Sequence, residues 1–195
     1  VTQVKFAVIS CSNFPAGYFH AYADIARQPV DAVIHLGDYI YEYGRTTTNS
    51  NGQTVTAYAS AHAAELGREV KPATELLAIN DYRERYAQYR SDKDLQAMHA
   101  ALPMIAVWDD HEIANDAYTN GAENHQPNEG DWNTRKMAAM KAYHEWMPTR
   151  NGVMNQIYRS FNFGNLVSLH MLDMRIIGRD KQLDYNDYIG ADTNG

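Results

Sequence analysis

Asp31-Ala32-Val33-Ile34-His35-Leu36, followed at once by Gly37-Asp38, is the segment that decides the fold. A short apolar run rich in branched residues, closed by glycine and an acid, reads as a central strand of a parallel sheet. Upstream, Val4 to Ser10 is a second buried strand ending at Cys11. Between them Asn13 to Gly17 is a turn. Phe19, Tyr22, Ala23 and Ala26 then share one face of a helix that stops before Pro29. Strand, helix and strand in sequence form a βαβ unit, for which a right-handed crossover is expected.

Downstream, Arg45 to Pro72 changes texture to Thr, Ser, Asn and Gly and reads as an irregular excursion over a cleft. Asp81 to Glu84 and Ser91 to Asp94 resemble capping boxes, and Tyr82, Tyr86 and Tyr89 keep helical spacing. Two helices are therefore expected between Leu76 and Ala101. Pro103 opens a third apolar strand, running to Val107 and releasing Trp108-Asp109-Asp110-His111-Glu112. Asn115 to Asp131 is polar and loop-like. Met137, Met140, His144 and Met147 then mark the core stripe of a helix ended by Pro148. Ile157 to Phe163 and Leu166 to Leu172 flank Gly164-Asn165, a two-residue hairpin signal. From Gly178 onward the chain is polar and without periodicity.

A chain of 195 residues suits a single domain. Its 17 basic and 24 acidic residues leave a net charge of −7, which argues against a nucleic-acid partner. An anionic substrate is not excluded, because bound cations invert a local field. No apolar stretch reaches the roughly 18 residues of a membrane span. The lone cysteine makes no internal disulfide. No signal peptide is present, and the abrupt start at Val1 suggests a processed or trimmed N-terminus.

Three strands, each ending on metal-capable side chains, is how an open α/β sheet builds a site at its strand tips. Asp38 can bridge two cations just past Gly37, or can be a turn residue capping a local amide. Tyr41, three residues on, offers a hard phenolate that suits ferric iron. Cys11 can ligate as thiolate or serve as a small buried hydrophobe. A nucleophilic Cys11 would need an activating base. Asp109-Asp110-His111-Glu112 crowds three acids around one histidine, a repulsion that a cation would relieve. In that cluster Asp110 can take a metal and His111 can protonate a leaving group. Asn115 supplies a neutral carbonyl oxygen of the calcium-binding type. Arg175 can orient a phosphate, or hold a motif loop through a bidentate ion pair. His20, His35, His62, His99, His125, His144 and His170 lack paired ligand spacing and read as structural or surface residues. His35, inside an apolar strand, needs a hydrogen-bond partner there. No glycine-rich phosphate cradle and no Gly-x-Ser-x-Gly elbow occur.

Ser10-Cys11-Ser12-Asn13, Gly17-Tyr18-Phe19 and His35-Leu36-Gly37-Asp38-Tyr39-Ile40-Tyr41-Glu42-Tyr43 together resemble the PhoD-type alkaline phosphatases. Tyr82-Arg83, Tyr86 to Arg90, Trp108 to Glu112 and Asn115-Asp116 continue the resemblance in order, as do Tyr143 to Pro148, Tyr158-Arg159, Phe163 to Leu166 and Leu172 to Arg175. The resemblance implies a calcineurin-like metallophosphoesterase core, a four-layer α/β sandwich. It also implies extracytoplasmic (periplasmic or secreted) hydrolysis of phosphomonoesters or phosphodiesters by a metal-activated water, with Fe3+ and Ca2+ as cofactors. By position, Cys11, Asp38 and Tyr41 match iron ligands, with Asp38 bridging to calcium. Asp110 stands where related enzymes carry the Asn of Gly-Asn-His-Glu, and Asn115 competes for that role. His111 matches the histidine beside the transferred phosphate. The family's later Gly-Asp-x-His type segment and its N-terminal β domain have no counterpart. Residues 1–195 are therefore expected to be one partial catalytic domain, completed by a C-terminal portion or a second chain. The alternative is a catalytically incomplete metal-binding fragment or interaction module.

Overall fold

The computed structural model describes residues 2–150, 153–181 and 183. At its centre lies a three-stranded parallel sheet in the order β1 (Phe6–Ile9), β2 (Ala32–His35), β5 (Met104–Ala106). Every residue of β2 is buried, as its unbroken apolar run requires of the middle strand. β1 is half-buried and, like β2 and β5, a residue or two shorter at each end than the apolar pattern suggests.

Helix α1 (His20–Ile25) completes the βαβ unit. Phe19 and Tyr22 are its buried contacts, while Ala23 and Ala26 are only half-buried. Helix α2 (Ile79–Arg90) buries Tyr82, Tyr86 and Tyr89 completely. Its start lies earlier than the expected box at Asp81, whose carboxylate accepts the N–H groups of Leu77 and Ala78. For α3 (Lys93–Ala101) the capping residue is Asp92 rather than Ser91, accepting from Asp94 and Leu95. Helix α4 (Trp132–Trp146) packs against α2, capped by Asp131. Its buried face runs through Ala139, Met140, Tyr143 and Met147. Met140 and Met147 thus lie on the packing face as expected, whereas Met137, 45% exposed, falls off it.

The excursion after β2 is less irregular than its composition suggests. β3 (Thr46–Thr48) and β4 (Thr54–Thr56) pair antiparallel, with every residue exposed. β6 (Arg159–Phe163) and β7 (Val167–Met171) form the expected hairpin. Their loop takes three residues, Gly164 to Leu166, with Gly164 at a φ of +57°. That is the three-residue hairpin pattern rather than the two-residue one. The hairpin docks on the sheet through Phe163 against Phe6, ring centroids 4.9 Å apart, and through Arg159 Nη2 donating to the carbonyl of Ala106. Among the described residues no helix is long and apolar enough to cross a membrane. Most of the polar stretch after Gly178 lies outside the described residues.

Candidate metal centre at the strand tips

The ladder between β1 and β2 continues past the strands. Cys11 N–H donates to Gly37 O at 3.1 Å, and Ser12 N–H to Asp38 O at 2.7 Å. To do so both Cys11 (φ +58°) and Asp38 (φ +56°) adopt the left-handed conformation. Non-glycine residues pay for that geometry and hold it only where neighbours over-determine it, which concentrates it at functional sites. Gly37, at φ +115°, has no room for a side chain: a Cβ there would come within 2.5 Å of Asp109 Cβ. Its bareness lets the exit of β5 press against the exit of β2.

Two buried carboxylates fasten these exits together. Glu112 accepts the N–H groups of Tyr39 and Asp109, stapling one loop to the other. Burial and the nearby Asp38 charge push its carboxyl up to about 8, the backbone donors opposing. Glu42, fully buried, receives the N–H of Asn115 and the Nδ2–H of Asn124, each at 2.7 Å, on Oε1. Its Oε2 lies 2.7 Å from His111 Nδ1. Burial alone would raise Glu42, but the His111 contact and the amide donors bring it below its ordinary value. Burial also disfavours the His111 imidazolium, yet Glu42, with Asp110 and Asp38, carries it up to about 9. The ring is thereby oriented, its Nδ1 turned to Glu42 and its Nε2 left for other work.

Around this frame the donors converge. Ligand atoms of Asp38, Asp110 and His111 all lie within 4.8 Å of one another. Cys11 Sγ and Tyr41 Oη each sit 3.4 Å from Asp38 Oδ2. Asp38 Oδ1 is buried and, among the described residues, has no hydrogen-bond partner. Burial raises the Asp38 carboxyl; His111 opposes this, while Asp110 and Asp109 add to it. A desolvated carboxylate with an idle oxygen, a phenol and a second carboxylate are hard oxygen donors, and with the softer thiol beside them the set fits a transition-metal cation such as iron. Burial holds the Cys11 thiol and the Tyr41 phenol above their ordinary values.

Asp110 is also held from behind, accepting Asp116 N–H on Oδ2 at 2.6 Å. Asn115 turns its side-chain nitrogen to Glu123 at 2.9 Å. Arg175 grips Asp109 through Nε (2.6 Å) and Nη2 (3.2 Å), and reaches Asp110 and Asp116 at 3.3 Å. Its donors face carboxylates, which is the loop-holding geometry rather than an open phosphate clamp. Sequence reading gave Glu42 no role, and counted Glu112 only among the acids around His111. A signal existed for the first: an acid inside the aromatic run Tyr39 to Tyr43 needs a partner if that run is buried.

A parallel α/β sheet carrying an acidic, histidine-bearing centre at its strand tips is the class that fold and site define. Comparison with known proteins narrows it. Residues 6–194 match the model of the PhoD-like phosphatase family, and the chain belongs to that family. It is 42% identical over 180 residues to alkaline phosphatase D of Bacillus subtilis (strain 168), a match covering 90% of this chain and 28% of that protein. A solved structure described as that of PhoD superposes with a TM-score of 0.76 at 39% identity, covering 93% of this chain and 33% of the other. The chain thus spans under a third of the length of the curated relative it matches.

Proposed function

We propose that this chain contributes the strand-tip half of a metal-dependent phosphoesterase centre, in a protein that hydrolyses phosphomonoesters or phosphodiesters. The observation that carries the reading is the convergence of Asp38, Asp110 and His111 donors around the partnerless Asp38 Oδ1. Cys11, Asp38 and Tyr41 would hold iron, and Asp38 with Asp110 or Asn115 would hold calcium. Bound there, the cations would supply a water of lowered pKa and polarise the phosphoryl oxygens. Glu42 fixes the His111 ring, and His111 Nε2 delivers a proton to the departing ester oxygen. Arg175 keeps Asp109, Asp110 and Asp116 from repelling one another. Family membership supports the same reading, and extends it to a four-layer sandwich completed by further polypeptide and to an extracytoplasmic setting.

The test is phosphate release from an aryl phosphomonoester and an aryl phosphodiester, by protein equilibrated with iron and calcium, with mass measured on the same sample. Turnover at 22.1 kDa that disappears in His111→Ala is expected if the chain suffices. Metal uptake with no turnover of either ester would instead favour an incomplete metal-binding module.

A further inference from the structure

The excursion between β2 and α2 sets one large aromatic side chain in solvent beside the candidate centre. Tyr58 is 66% exposed, yet its ring centroid lies 6.2 Å from that of Tyr41 and 6.1 Å from that of Tyr43. Those two rings in turn flank the His111 imidazole, at 4.3 Å and 5.4 Å. A continuous run of aromatic rings, tilted or edge-on to one another, therefore leads from the imidazole outward to solvent.

The backbone presents Tyr58 deliberately. Ala57 is buried, its N–H bonded to Arg45 O, and Ser60 N–H closes a turn onto Ala57 O. Ala59, inside that turn, is held left-handed at φ +57°. A strained non-glycine turn fixed at both ends is a rigid mount rather than a slack loop. Farther along, Arg68 pins the same excursion to the body. It donates to Phe14 O (2.6 Å) and Asp92 (2.7 Å), and its guanidinium lies 3.6 Å over the Phe14 ring.

What such a platform selects follows from its chemistry. It is a rigid π face offering no charge of its own, next to the place where a phosphoryl group would sit. An aromatic surface rewards a planar π partner more than a small aliphatic one. We infer that Tyr58, backed by Tyr43, is a specificity-determining platform on which the planar, aromatic alcohol portion of a phosphate ester stacks while its phosphoryl group lies at Asp38 and His111. This deepens the phosphoester reading above and rests on it.

Phosphonates, whose carbon–phosphorus bond resists hydrolysis, separate binding from turnover. Calorimetric titrations of phenylphosphonate, methylphosphonate and 2-aminoethylphosphonate into the iron- and calcium-equilibrated protein test the idea. Wild type is expected to bind phenylphosphonate about twofold to tenfold more tightly than methylphosphonate, the range of one aromatic pair. Tyr58→Ala should erase that preference without changing methylphosphonate affinity, and Tyr58→Phe should keep it. A phenyl preference that survives Tyr58→Ala would overturn the inference. Tightest binding of the aminoethyl compound would also overturn it, by showing that the rings select a cation. Absence of binding by all three would instead overturn the phosphoester reading and the platform together, whereas binding with no phenyl preference removes the platform alone.

Discussion

Replacing His35 by asparagine should make the protein less stable at neutral pH and yet less sensitive to acid. His35 is wholly buried on β2. Its Nδ1 accepts the Gly37 N–H at 3.2 Å, so the ring proton resides on Nε2, which donates to Ser12 Oγ at 3.1 Å. Ser12 in turn pairs with the Tyr22 hydroxyl. Burial, and secondarily the charge of His99, bring the imidazole from 6.5 to about 3. The folded pKa is depressed, so the stabilisation is complete above the unfolded value and is lost as pH falls toward the folded one. Each pH unit in that window costs about 1.4 kcal/mol, and the full shift of about 3.5 units amounts to about 5 kcal/mol. Against a typical total of about 5–15 kcal/mol this is large. In His35→Asn the amide oxygen can still accept from Gly37, while the bond to Ser12 is lost at a cost of about 1–2 kcal/mol. Urea unfolding at about pH 8 and about pH 4.5 provides the assay. Wild type should lose about 3 kcal/mol more than the variant between pH 6.5 and about pH 4.5. Other titrating groups, His99 included, are common to both proteins and cancel. Equal losses in the two would refute the reasoning.

Arg175→Met should destabilise the protein by about 2–3 kcal/mol, below the ~3–5 kcal/mol of a fully buried pair because Asp109 and Asp116 are a third exposed. Chemical denaturation checks this, and Arg175→Lys should recover only part, since an ammonium cannot reproduce the two-pronged grip. For Glu42→Gln, proton NMR of metal-free protein should find the His111 titration moved down from about 9, because the carboxylate that favours the imidazolium is gone. An unmoved His111 would show that Asp110 and Asp38 carry the shift instead.

Much of the scaffold could be read from residues alone because its signals are local. β2 is an unbroken apolar run, and the helix between β1 and β2 carries its own periodicity. The hairpin β3–β4 escaped notice because all six of its residues are exposed, so no alternation of burial was written into them. Met137 misled for the opposite reason: an apolar side chain on the right helix faces solvent, while Tyr143 takes the packing position. The strand-tip residues Cys11, Asp38, Asp110 and His111 stand out because each lies just past an apolar strand, and Tyr41 because it is three residues beyond Asp38. What no local pattern carried is how they are held. Glu42 reaches His111 and Asn115 across about seventy residues, and Glu112 links Tyr39 to Asp109 over a comparable span. Arg175 was ambiguous in sequence because its three carboxylate partners come together only on folding.

Quantifying iron and calcium by elemental analysis, in wild type and in Asp38→Asn, bears most directly on the proposed centre. The account predicts bound metal in the first and its loss from the second, with both proteins folded to the same extent by circular dichroism. Equal metal content in the two, or none in either after equilibration with both ions, would contradict it.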